Sequence, residues 1–421
     1  MKNRGINLLI IVLIFLTVYY PPIMSFNVLY IISPISMLLL FYESALKKKN
    51  IVIGKSFLKI CGMLLIVLLH QVVMSLVSGG NVLVSISQIL LILVGVLPVV
   101  LLIYNLIAFY KISLEQVMND IITVGVIQSI LAIIAYINPG FQKWFIDRMI
   151  VYGYEASRFS SLSSFRWFGV ATQLGFTTPM VQAIIAILCI YLGMEKSWKY
   201  HLLAALLLFS AVINARTSIV LFVVALFFVI FFYFKSNCNR RALNKFLLFS
   251  MSFVILIVVA LNVMKYISPQ NYLWAVQGLV TSIFGGQEKE EMYLMTGSFF
   301  LDKDNWMMPA GGDFLCGTGY SLDQANYSYY TDIGYVNDVW KYGFLLSIII
   351  FICLAKLMLS IKSTRIGWVF SISFLVFFLL GNLKGDLVTM NTFTPFVLLI
   401  CSIMNSCDVK EPPKMDELGR G

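Results

Sequence analysis

Residues 6–24 read INLLIIVLIFLTVYYPPIM, and this run decides the fold class. It follows Lys2 and Arg4, carries no charged side chain and shows no two-residue alternation of apolar and polar positions. In lipid, every backbone N–H and C=O needs a partner, so a spanning segment is a helix or a barrel strand. Without alternation it is a helix. The basic start resembles a secretory leader. The run is long for one, however, and lacks a small-residue cleavage site, so the sequence predicts a retained span.

The rest of the chain repeats this pattern. Over 421 residues it is 60% hydrophobic and 12% charged. A water-soluble domain of this size has no way to hide that much apolar surface, so the solvent is the bilayer. Twelve apolar runs stand out, at residues 6–24, 27–42, 58–78, 83–104, 119–138, 169–193, 200–214, 217–234, 245–264, 343–361, 366–383 and 388–407. The sequence therefore predicts an all-α polytopic membrane protein, 1–421 as a single membrane domain of about 12 transmembrane helices.

Basic residues orient the spans. With the N-terminus inside, Lys47, Lys48, Lys49, Lys55, Lys111, Lys196, Lys199, Lys235, Arg240, Arg241, Lys245, Lys362, Arg365 and a cytoplasmic tail at 408–421 share one side. The opposite orientation would translocate the KKK and NRR clusters. The formal net charge of +10 is thus a topology signal. Scattered in short loops, the basic residues give no nucleic-acid footprint. Two external segments remain: a first sizeable loop at 139–168 and a large loop at 265–342. No internal repeat is visible, against carriers built from two related halves.

The seven cysteines form no framework, since Cys316 alone reaches the large loop. No His/Cys cluster has metal-ligand spacing, so neither a metal nor a cofactor is expected.

The candidate site lies outside. Arg158, Arg166 and Arg216 run against the charge trend. Arg216, in NARTSIV at a tight turn between two spans, needs an anion or water. A guanidinium is planar, permanently charged and bidentate, which suits a diphosphate. The late stretch FLCGTGYSLDQANYSYYTDIGYVNDVWKYGF, Phe314 to Phe344, is polar and tyrosine-rich. Tyr320, Tyr329, Tyr330 and Tyr335 offer flat faces and hydroxyls to a sugar. Asp332 and Asp338 are carboxylates able to take a proton from an attacking hydroxyl. Lys384 and Asp386, in GNLKGDLV, either pair with each other or line the same cavity. Gly317 and Gly319 suit a backbone turn better than a phosphate loop.

Together, the early YYPP turn, RFSSLSSFRWFG, NARTSIV, GTGYS followed by TDIGYVNDVWKYGF, and LKGD before the last span resemble the Wzy-type O-antigen and capsular polysaccharide polymerases, within the O-antigen polymerase and ligase superfamily. The resemblance implies a fold similar to membrane glycosyltransferases with lipid-linked donors. It implies a bacterial inner-membrane location, cytoplasmic termini and a large periplasmic loop. The implied reaction joins undecaprenyl-diphosphate-linked oligosaccharide repeats into a surface polysaccharide, with Arg158, Arg166 and Arg216 on the diphosphate and a chain-length regulator as a possible partner. Ligase-like relatives place a histidine in the large loop, and this chain has none there. The alternatives are a lipid-linked oligosaccharide flippase or transporter, and the ligase.

Overall fold

The computed structural model describes residues 2–23, 26–151, 167, 169–171, 175–215, 217–236, 244, 262, 265–266, 303–321, 331–361, 364–388 and 391–405. The expected ninth span, 245–264, lies almost wholly outside these residues. The described elements begin with α1 (Lys2–Tyr19), a two-residue ladder of β1 (Pro22–Ile23) with β2 (Phe26–Asn27), α2 (Val28–Ala45) and α3 (Lys55–Val77). Next come α4 (Val82–Leu90), α5 (Leu97–Tyr110), α6 (Leu114–Ile137), α7 (Pro139–Val151) and α8 (Thr177–Glu195). The series ends with α9 (Lys199–Asn214), α10 (Thr217–Ser236), α11 (Gly312–Cys316), α12 (Gly334–Ser360), α13 (Arg365–Gly381) and α14 (Phe393–Met404).

Seven described segments are helical, long and apolar enough to cross a membrane, counting α4 to α5 as one continuous rod from Val82 to Tyr110. Four shorter apolar helices, in α1, α9, α13 and α14, coincide with further expected runs. The perimeter is greasy: Leu38, Phe41, Leu69, Leu83, Phe227 and Leu345 are all exposed. A surface of that kind is stable only in lipid. The chain is a helical membrane-embedded protein.

Side chains fix where helices start. Asn27, Asn81, Ser113 and Thr364 each accept a backbone N–H at the head of α2, α4, α6 and α13. Between α4 and α5 the rod passes through a π-helical stretch, Leu91–Val96. Pro98 has no N–H to offer Val94 four residues back. The Ser33 hydroxyl of α2 donates to that carbonyl instead.

Hydrogen bonds and ion pairs sort the helix ends into two sets. At the lysine-rich end, buried Glu43 takes Lys47 at 2.5 Å and Lys49 at 2.7 Å, Val52 exchanges two bonds with Asn105, and Lys196 meets Glu115 at 2.5 Å. At the other end, the heads of α8 and α14 meet through Thr177 and Thr392, 3.0 Å apart. Between them α8 is the central post, buried along its length and packed on α6, α9, α10, α13 and α14. Its Gln182 amide donates to Ser210 at 2.8 Å and Ser129 at 3.3 Å.

Several expected boundaries move. The first span ends at Tyr19, the first residue of the YYPP turn, because Pro21 and Pro22 cannot continue it. The fourth reaches Tyr110, and the sixth starts at Thr177. The segment expected as the first external loop, 139–168, opens with a helix, α7. The tenth starts nine residues early, at Gly334, and kinks at Gly343 (φ 73°, ψ 163°). The last starts at Phe393, since 382–388 form turns.

Candidate functional site at the loop end of the bundle

The site is assembled from two segments that the sequence separates by some forty residues: the head of α12 and the turn after α13. Gly334 backs onto Gly385 so closely that a Cβ would strike the Gly385 carbonyl and the Asn382 amide. That approach brings six polar side chains together. Asn382 donates from Nδ2 to Asp338 Oδ2 at 2.8 Å, and its Oδ1 accepts Leu387 N–H at 3.0 Å. Lys341 pairs with Asp386, and Lys384 with Asp332 at 2.6 Å. The Asp338 carboxyl adjoins that of Asp386, and the Tyr342 hydroxyl lies within electrostatic reach of both.

Burial grades these groups. Asp338 is fully buried, whereas the side chains of Lys341 and Asp386 keep 14% and 13% of their surface and those of Lys384 and Asp332 keep 21% and 26%. Burying a carboxylate is costly unless donors surround it. Asn382 and the nearby Lys341 supply that compensation.

A short strap, 311–321, closes the site from above. α11 ends at Gly317, whose backbone lies against Gly343 at the kink. There the helix loses the N–H groups that would serve the Trp340 and Lys341 carbonyls. Thr318 N–H donates to Trp340 O at 2.7 Å and Gly319 N–H to Lys341 O at 3.2 Å, replacing them. Gly317 and Gly319 (φ 77° and 82°) thus serve a backbone turn, as the sequence suggests. The far side of the strap rests on α3 and α4. His70 Nε2 meets Cys316 O at 2.7 Å, Ser78 donates to Thr318 O at 3.1 Å, and Ser85 to Gly319 O at 2.7 Å.

The expected site residues separate accordingly. Asp332, Asp338, Lys384, Asp386 and Tyr335 come together, and Tyr320 lies on the adjoining strap. Lys384 and Asp386 do not pair with each other; each takes a partner from the α12 side. Asp338, expected as a proton acceptor, is sealed from the surface, so it shapes the site rather than meeting a hydroxyl in this state. The Tyr335 hydroxyl donates to Leu379 O at 2.6 Å, and its ring packs edge-on to Phe351. Tyr320 sits against Gly80. Thr331 receives Ile333 N–H at 3.1 Å and ties back to Asn305 O at 2.9 Å, fixing the entry to α12. Arg158, Arg166, Arg216, Tyr329 and Tyr330 lie outside the described residues. The helices flanking Arg216 do belong here, since antiparallel α8 and α9 place Asn214 at the α8 head.

Sequence reasoning missed Lys341 and Asn382 as site residues. The available signal was a lysine and an asparagine bordering two apolar runs whose other border residues were already suspect. Chemically, the arrangement offers two cations with carboxylates beside them at one edge of an apolar bundle. Among the described residues no group of three or more His, Cys, Asp or Glu could hold a metal ion. Comparisons of the chain with protein-family models, with curated proteins and with solved structures find no match.

Proposed function

We propose that this protein is a membrane glycosyltransferase that polymerises undecaprenyl-diphosphate-linked oligosaccharide repeats into O-antigen or a related surface polysaccharide. The observation that carries the reading is the gathering of Lys341, Lys384, Asp332 and Asp386 at one end of an apolar bundle, opposite the lysine-rich end. On this reading about 12 helices cross the bacterial inner membrane. Both termini and the lysine-rich end are cytoplasmic, and the loop end faces outward. A carrier would instead be expected to hold its charges near mid-span.

The reaction breaks the bond between the donor's anomeric carbon and the diphosphate and forms one from that carbon to an acceptor hydroxyl. The hydroxyl proton passes to a carboxylate or solvent, and the lipid diphosphate leaves. Diphosphate is already a good leaving group, so the main demand is cationic stabilisation of the developing charge. On this reading Arg158, Arg166 and Arg216 fill that role, and Lys341 and Lys384 add to the cationic charge. Asp332 and Asp386 retain enough surface to orient the acceptor. Asp338 holds Asn382, and through it the turn that carries Lys384 and Asp386.

The test is the surface-glycan ladder of a strain lacking the gene. Collapse to a single repeat unit on its acceptor is the expected result. Loss of every repeat unit would point to a flippase or ligase and overturn the polymerase reading.

A further inference from the structure

Beneath the strap, buried polar atoms are left without partners. Gln71 Oε1 and Ser75 Oγ on α3, and Asp338 Oδ1 and Tyr342 Oη on α12, have no hydrogen-bond partner among the described residues. All four residues are at most 3% exposed. Orphaned groups of this kind are few in native proteins and each costs on the order of 1–3 kcal/mol.

The two helices that carry them meet at the strap. Gly319 of the strap lies against Ser75 Oγ and Gln71 O, while its N–H is bonded to Lys341 O, one residue before Tyr342. Gln71 and Ser75 continue the buried face of α3 that begins with Leu64 and Val67. Those two residues line an apolar cavity between α3, α12 and α14 whose upper wall is Leu387 and Val388, next to Asp386.

We infer that Gln71, Ser75, Asp338 and Tyr342 form a recognition pocket for the hydroxyl groups of a saccharide, covered in this state by the strap 311–321. Two of the orphans, Gln71 Oε1 and Asp338 Oδ1, are acceptors, and the two hydroxyls both donate and accept. Such a set matches a ligand that brings many O–H donors and no charge of its own. The strap stays anchored on α12 through the Phe314–Phe344 stack and the Gly317–Gly343 contact, whereas on α3 and α4 it is held by hydrogen bonds from His70, Ser78 and Ser85, so the α3 side is the one that lifts. For the natural ligand the inference rests on the glycosyltransferase reading, but the pocket itself is testable without it.

The experiment uses the full chain in lipid nanodiscs, with decyl maltoside below its micellar concentration as probe and a decyl polyoxyethylene ether as the sugarless control. Thermal unfolding is followed by tryptophan fluorescence. A ligand that binds the folded state raises the midpoint in proportion to ln(1 + [L]/Kd). The maltoside is expected to raise the midpoint and the control is not. Gln71→Leu and Tyr342→Phe should each at least halve the shift. A strap locked by Ser78→Cys with Thr318→Cys, with Cys316 and Cys353 replaced by serine, should show no shift until reduced. Equal shifts from both amphiphiles, or a full shift in the locked oxidised protein, would overturn the pocket. A normal glycan ladder in the deletion strain beside a maltoside-specific shift would remove the polymerase reading and leave the pocket standing.

Discussion

Gly317 and Gly343 lie back to back with no room for a side chain on either. A Cβ on Gly317 would collide with Gly343 N and the Lys341 carbonyl, and one on Gly343 with the Leu315 carbonyl and Gly317 N. Both glycines have positive φ, 77° and 73°. This contact lets the strap replace the two N–H groups that α12 loses at its kink. It is also what holds a segment far from the apolar runs against the candidate site.

Gly317→Ala and Gly343→Ala should therefore both be severe. Left-handed backbone alone costs about 1–2 kcal/mol for an alanine, and backbone collisions cannot be relieved by a rotamer change. Gly62→Ala is the control, since a Cβ there meets nothing within 4 Å. Thermal melting of the purified variants should show large losses for the first two and none for the third. An unchanged midpoint for Gly343→Ala would refute the packing.

Asn382 is the hinge pin between the carboxyl and the turn. Asn382→Ala removes the Asp338 donor and the Leu387 acceptor together, so a loss of roughly 2–4 kcal/mol is expected, from one lost bond to a charged group and one to a backbone amide. Asn382→Asp should be worse than Asn382→Ala, because it sets another carboxylate against Asp338 and Asp386. Denaturation midpoints of the two variants decide the order; Asp milder than Ala would mean that Asn382 does not face the carboxyls.

The two ion pairs should separate in the same way. Lys384 and Asp332 are the more exposed, and such pairs contribute about 0–1 kcal/mol. Lys384→Ala should leave the fold nearly unchanged, whereas Lys341→Ala strands Asp386 beside buried Asp338 and should cost distinctly more. If Lys384 nonetheless serves the reaction, its alanine variant will lose glycan length without losing protein. Comparing the ladder with membrane abundance separates these effects.

Ser33 and Pro98 form a coupled pair on the membrane-buried face. Ser33→Ala leaves the Val94 carbonyl unserved, at a cost of about 0.6–1.7 kcal/mol for a bond of this kind in lipid. In a Pro98→Ala background the restored N–H can serve Val94, and Ser33→Ala should become nearly neutral. A double-mutant cycle in melting free energy should show this coupling; strict additivity would mean that Pro98 is not why Ser33 is needed.

The apolar runs were legible because lipid imposes the same demand on every span. Their ends were not, and the reasons are local. α12 begins at Gly334 because Asp338 and Lys341, which read as loop, find partners on the turn after α13, and Asn337 donates to the Thr331 carbonyl just ahead of the helix. Hydropathy has no access to tertiary satisfaction. Proximity in sequence left two arrangements open: Lys384 and Asp386 are two apart on a turn, but each faces a residue some forty to fifty positions earlier. Glycines 317 and 319 were legible as a turn, because a GTG outside any strand-to-helix junction has no phosphate-binding context. What the turn packs against, the kink at Gly343, was not.

Arg216 offers the sharpest functional test. The chain bends between Asn214, the end of α9, and Thr217, the start of α10, and Ser218 donates to Ala215 O at 2.7 Å to hold that turn. The bend thus has a brace of its own in Ser218. Arg216→Ala should leave the protein in the membrane at normal abundance while long glycan chains disappear. Arg216→Lys should rescue poorly if a bidentate fork on a diphosphate is required, because an ammonium is a point charge. Full rescue by lysine would reduce the role of Arg216 to charge attraction, and normal chain length in the alanine variant would remove the diphosphate clamp from the mechanism.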